Sequence, residues 1–183
     1  MKSLCVYCGA SNGHASVYAD AARDLAQHLV DHNIQLVYGG GNIGLMGILA
    51  NEVMRLGGEV TGVIPQLLMD MEVGHMMISR LHVVKDMHER KAMMAGLSDG
   101  FIAMPGGIGT LEELFEMLTW HQLGFHAKPV GLLNVNGFFD GLLAFLAHQE
   151  NEGFLKPDHR ALLLQSTDAA NLIHQLQHFT PEK

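Results

Sequence analysis

The chain has 183 residues, 48% of them hydrophobic, enough to bury one sizeable core without the bias of a disordered segment. A formal net charge of −8, with no Lys/Arg cluster beyond Arg90-Lys91, argues against the basic face that a nucleic acid or a membrane surface requires. No apolar run approaches the roughly 20 residues that span a bilayer, and the stretch in MKSLCVYCGAS is too short for a secretory core, so a cytoplasmic protein is expected.

Strand-like and helix-like patterns alternate with no linker, charge block or repeat between them, so residues 1–183 are read as a single domain. Ser3 to Cys8 reads as a buried strand, followed by a turn (Gly9 to Gly13) and an amphipathic helix from Val17 to His32. Ile34 to Tyr38 is the second strand; Gly39-Gly40-Gly41-Asn42 then leads into a helix ending near Leu56, and Glu59 to Ile64 is a third strand stopped by Pro65. Met69 to Met77 has no clear type, Arg80 to Val84 is a short strand, Met87 to Leu97 is helical, and Gly100 to Met104 is a strand ending at Pro105. A helix from Thr110 to Leu123, a strand from Pro129 to Asn134, a helix from Phe138 to Glu152, a strand from Leu162 to Gln165 and a helix from Asp168 to Leu176 complete the chain. Apolar strands separated by helices predict an α/β fold, a parallel sheet covered on both faces, with ligands beyond the carboxyl ends of its strands.

Cys5 and Cys8 form a C-x-x-C inside a strand, where an offset of three turns the side chains to opposite faces, so neither a redox nor a metal pair is expected. The twelve His include no H-E-x-x-H, and His174 and His178, one helical turn apart, are read as solvated; no metal is expected. Of Met69, Met71, Met76, Met77, Met93 and Met94, most are expected in the core, although such residues also line adaptable pockets.

The segment PGGIGT, Pro105 to Thr110, joins a short apolar strand to a helix. Its glycines let backbone N–H groups approach an anion while the helix dipole favours negative charge, although a plain strand-to-helix turn has the same spacing. No Lys follows as in a P-loop, which disfavours triphosphate chemistry. Thr110 and Glu113 form T-x-x-E, the capping-box pattern; equally, a carboxylate one turn from a phosphate cradle would lie near the ribose of a nucleotide. The loop Gly39 to Gly44 satisfies G-x-G-x-x-G between a strand and a helix, so a dinucleotide is weighed, but it follows the second strand and leaves the other anion loop unexplained. In DMHERKAMM, adjacent Arg90 and Lys91 are not expected to face the core together, which leaves a solvated basic pair and a site pair both open.

In this order, VYCGAS, LVYGGGNIGLMG, DMHERKA and MPGGIGTLEE resemble the LOG (Lonely Guy) cytokinin riboside 5′-monophosphate phosphoribohydrolases over nearly the whole chain. The resemblance implies a single-domain, Rossmann-like homodimer that hydrolyses the N-glycosidic bond of adenine or N6-substituted adenine nucleoside 5′-monophosphates without a cofactor. It assigns catalysis to Arg90 and Glu113 and substrate contacts to Glu72, Lys91, Gly106, Gly107, Ile108, Gly109, Thr110, Leu111, Glu112 and Thr119. CGAS stands where many relatives read CGSS, so a hydroxyl at Ala10 is absent while Ser11 keeps the second. Similar chains are sometimes labelled lysine decarboxylases, but that reaction needs pyridoxal phosphate on a lysine, and no such constellation is recognisable. A non-catalytic carrier of a phosphorylated ligand, such as molybdenum cofactor, is the alternative, and the presence of both Arg90 and Glu113 favours the enzyme.

Overall fold

Seven strands form one all-parallel sheet in the order β4-β3-β2-β1-β5-β6-β7 in the computed structural model, which describes residues 1–71 and 74–180. They are β1 (Ser3–Tyr7), β2 (Gln35–Tyr38), β3 (Val60–Pro65), β4 (Arg80–Val84), β5 (Phe101–Ala103), β6 (Val130–Leu133) and β7 (Leu163–Ser166). Every predicted strand is present, with ends displaced by a residue or two. The order runs outward from the middle in both directions, so the winding reverses between β1 and β5. At such a reversal the loops leaving the two neighbouring strands part to opposite faces and open a crevice.

Alternation along the first strand divides the interior. Leu4, Val6 and Cys8 pack in a core layer with α1 (Val17–Asp31), α2 (Gly44–Arg55) and α8 (Ala169–Gln177). Cys5 and Tyr7 join the opposite layer with α4 (Met87–Leu97), α5 (Ile108–Gln122) and α6 (Asp140–Asn151). The two cysteines, both buried and free, therefore lie on opposite sides of the sheet, as their spacing predicts.

Two short helices, α3 (Gln66–Met71) and α7 (Pro157–Ala161), were not anticipated. α3 buries no residue, and Met71, Met76 and Met77 are exposed; Met69 and Met93 are partly covered and only Met94 is fully buried. The expectation that most of these methionines fill the core is thus wrong. The segment leaves the carboxyl end of β3 and lies outside both core layers. His174 and His178 are exposed and stack on each other with ring centroids 4.1 Å apart. Among the described residues no three His, Cys, Asp or Glu converge as metal ligands, and no helix is long and apolar enough to cross a membrane.

The first helical turn of α2 is satisfied by backbone. Leu45 and Met46 donate their N–H groups to the Gly9 carbonyl at 3.0 and 3.4 Å, which ties α2 to the β1–α1 loop. Gly44 lies at φ +60°, and a Cβ on it would fall 2.2 Å from the Ala10 carbonyl carbon. Gly44→Ala is therefore expected to cost at least about 2 kcal/mol of stability, since both the dihedral and the contact oppose a side chain. Calorimetry checks this; an unchanged melting temperature would reject the close packing of the two loops.

Candidate active site

The crevice is built from the loops after β1 and β5, which Gly9 stitches together by donating its N–H to the Pro105 carbonyl at 3.0 Å. Gly106 is a glycine because the Thr110 hydroxyl occupies the space of its Cβ, 2.2 Å away. Gly107 and Gly109 differ: neither has a left-handed φ, and a Cβ on either would meet nothing within 4 Å. Neither backbone conformation nor internal packing calls for glycine there, whereas a ligand lying against the backbone would. Gly107 is the N-cap of α5 and supplies no side-chain cap, so the first N–H donors of that helix face the opening.

Because α5 starts at Ile108, Thr110 lies within its first turn and the T-x-x-E pattern is not a capping box. Glu113 is buried and spent elsewhere: its Oε1 lies 3.1 Å from Arg90 Nη1. Arg90 also donates from Nε to the Val63 carbonyl at 3.1 Å and from Nη2 to the Gly39 carbonyl at 3.4 Å. A Cβ at Gly39 would sit 2.0 Å from Nη2, so the bare backbone at Gly39 is the seat of this guanidinium. That accounts for the first glycine of G-x-G-x-x-G, and the Gly9 carbonyl occupies the α2 donors that a pyrophosphate would need. The dinucleotide alternative loses its structural basis.

A side-chain cap does exist, at the start of α4. Asp86 accepts from the Glu89 N–H at 2.9 Å while Glu89 accepts from the Lys85 N–H at 2.8 Å, fixing where the helix begins and how Arg90 and Lys91 are aimed. Both are buried, contrary to the expectation that one helix could not turn the two inward. Their long side chains diverge: Arg90 reaches the ends of β2 and β3, and Lys91 reaches α5, with Nζ 2.5 Å from Glu112 Oε1 and 3.1 Å from Glu116 Oε1.

Arg90, Gly107, Gly109, Thr110, Glu112 and Glu113, all singled out in the sequence, line one cavity of about 270 Å³. Gly9 and Ala10 of the β1–α1 loop complete its wall with Cys8, Met46, Leu68 and Met87, the last four not foreseen. Gly106 and Ile108 belong to the same loop, Ile108 almost wholly exposed, whereas Leu111 packs against the second core. Thr119 instead lines an apolar groove with Phe115, Leu118 and Phe145, so the fold of the single chain does not bring it to the cavity. Glu72 lies outside the described residues. Burial pushes the Glu113 carboxyl up from the ordinary 4.5 to about 7; Arg90 and Lys91 oppose the rise, and Glu112 and Glu116 add to it.

A family model described as "possible lysine decarboxylase" matches residues 46–176. The cytokinin riboside 5′-monophosphate phosphoribohydrolase LOG5 of Arabidopsis thaliana is 50% identical over 180 residues, 98% of this chain and 79% of that protein. This chain belongs to the LOG family. LOG3 of the same plant, a phosphoribohydrolase of the same name, is 49% identical over 98% of this chain and 84% of its own. The structure of the molybdenum cofactor carrier protein of Chlamydomonas reinhardtii superimposes with a TM-score of 0.70 over 97% of this chain and 98% of that one. At 21% identity the latter shows a shared fold.

The buried carboxylate makes a pH-dependent demand on the fold. Glu113 titrates near 4.5 when unfolded and about 7 when folded, so its share of stability is complete below pH 4.5 and is lost as pH rises through 7. The loss is on the order of 3 kcal/mol. Denaturant unfolding of Glu113→Gln, which lacks this titration, should shift relative to the parent in the variant's favour between pH 4.5 and 8. A difference that does not vary with pH would reject a buried, charge-disfavoured Glu113.

Proposed function

We propose that this protein hydrolyses the N-glycosidic bond of a purine nucleoside 5′-monophosphate, carrying adenine or an N6-substituted adenine of cytokinin type, to free base and ribose 5-phosphate. One observation carries the reading: a buried Arg90–Glu113 pair opens onto the same cavity as an uncapped glycine loop. From Gly109 to Glu113 the helix rises about 6 Å, the scale on which a ribose separates its 5′-phosphate from its anomeric carbon. Relatives about half identical in sequence carry phosphoribohydrolase names, which supports the same assignment.

With the phosphate on the Gly107–Thr110 backbone, Glu113 faces the sugar. Breaking the bond between the anomeric carbon and the purine nitrogen sends the electron pair to the base, which gains a proton, while water delivers hydroxide to the anomeric carbon. The sugar passes through an oxocarbenium-like state that an ionised carboxylate stabilises, whether Glu113 acts through its field, by orienting water or by bonding to the sugar. Arg90, already fixed by two carbonyls, holds that carboxylate and favours its ionised form. The phosphate, remote from the broken bond, contributes binding energy that keeps the ribose in place.

Decarboxylation fits these residues poorly, because pyridoxal phosphate requires a lysine and none lines the cavity among the described residues. For a non-catalytic carrier, a buried Arg90–Glu113 pair opening onto the cavity has no evident chemical task, which favours the hydrolase.

With EDTA present, AMP or its N6-isopentenyl form should yield base and ribose 5-phosphate by chromatography, and the corresponding nucleosides should react poorly. Glu113→Gln should lower turnover by about 10²–10³-fold while phosphate affinity survives, since the loop's backbone donors are untouched. A folded variant within roughly threefold of the parent rate would return Glu113 to a structural role.

A homodimer belongs to the same reading. Leu67, Met71, Met76 and Met77 are exposed apolar side chains, the first two on the helix whose Leu68 lines the cavity, and Thr119 lines a further apolar groove. Light scattering at micromolar concentration should give twice the chain mass, and a monomer would contradict it. The two unpaired, buried thiols fit a reducing, cytoplasmic compartment.

A further inference from the structure

We propose that Lys91 is a positioning residue which, clamped between Glu112 and Glu116, balances the charge around Glu113 instead of reaching the substrate. The inference rests on the reading of Glu113 as the catalytic carboxylate. Lys91 is nine-tenths buried, and its ammonium is taken by two carboxylates of α5 at 2.5 and 3.1 Å. Those carboxylates stand one helical turn apart and flank Glu113 along the helix. Glu116 Oε2 is buried with no hydrogen-bond partner among the described residues, so Lys91 is the one group that fixes this side chain. Burial works against the Lys91 charge, but the hydrogen bonds to Glu112 and Glu116 outweigh it and hold its pKa above the usual lysine range.

The groups facing Glu113 are Arg90 and Lys91 from α4, Glu112 and Glu116 from α5 itself, and Cys5, Tyr7 and Cys8 from the β1 side. Burial pushes the two thiols and the phenol up, which leaves them neutral. The balance is therefore set by two cations and three carboxylates. Loss of the Lys91 charge leaves Arg90 alone against three carboxylates, whereas loss of the Glu116 charge leaves the cluster neutral. The two changes should move the ionisation of Glu113 in opposite directions.

The test is the pH dependence of kcat/KM for one nucleotide across the parent, Lys91→Gln, Lys91→Arg and Glu116→Gln. The acidic limb should move up by on the order of half a pH unit or more in Lys91→Gln, move down in Glu116→Gln and return to the parent position in Lys91→Arg. The substrate phosphate titrates identically in every case, so differences between variants belong to the protein. Where a variant is too slow, a carbon-13 NMR titration of the Glu113 carboxyl reads the same shift. Superimposable limbs would overturn the proposal. So would a Lys91→Gln protein with a tenfold weaker affinity for ribose 5-phosphate and an unmoved limb, because Lys91 would then touch the phosphate. A folded, fully active Glu113→Gln control would instead remove the underlying assignment, an outcome the limbs alone do not mimic.

Discussion

A charged pair held away from water at the end of a sheet constrains everything around it. Removing an ion from water costs several kcal/mol, and the cost is recovered only where partners are complete and well placed. Arg90 meets the condition with three acceptors from three elements: the Val63 carbonyl of β3, the Gly39 carbonyl just past β2, and Glu113 of α5. The strands must end where they do and α5 must start where it does for this set to close. The reversal of strand order between β1 and β5 supplies the remaining condition, a crevice in which the exposed side of the pair meets solvent and ligand.

Two helix starts in this crevice have opposite fates. The donors of α2 are consumed by the Gly9 carbonyl, while those of α5 have no side chain to cap them. The same residue, Gly9, also donates to Pro105, so a single loop both closes one anion site and holds the other open. Glycine-rich turns that look alike in a sequence are thus separated by what the backbone beside them does.

The alternation of strands and helices was legible because its period is local and burial on both sheet faces leaves long apolar runs in the strands. Most of the residues expected around the cavity were legible as motifs. What escaped were features that depend on partners distant in the chain. T-x-x-E at Thr110 and Glu113 has the form of a cap, yet Glu113 is claimed by an arginine 23 positions earlier, and the side-chain cap that does form is Asp86 at the start of α4. Neighbouring Arg90 and Lys91 both turn inward because long side chains diverge towards different acceptors, which a helical wheel of Cβ directions does not represent. Glu116 was within reach, since it follows Glu112 at the spacing that puts two side chains on one helix face.

The missing side chain at Gly39 bears on how chains of this fold can be told apart. An arginine at position 90 is useful only while its guanidinium can lie flat against the backbone at 39, and any Cβ there would occupy the place of Nη2. A chain that retained the arginine but bore alanine at 39 would display the motif while lacking the seat, and its guanidinium would have to leave the place it holds beside Glu113. Reading the two positions as one unit, 51 residues apart, therefore separates a working site from a motif that has outlived it.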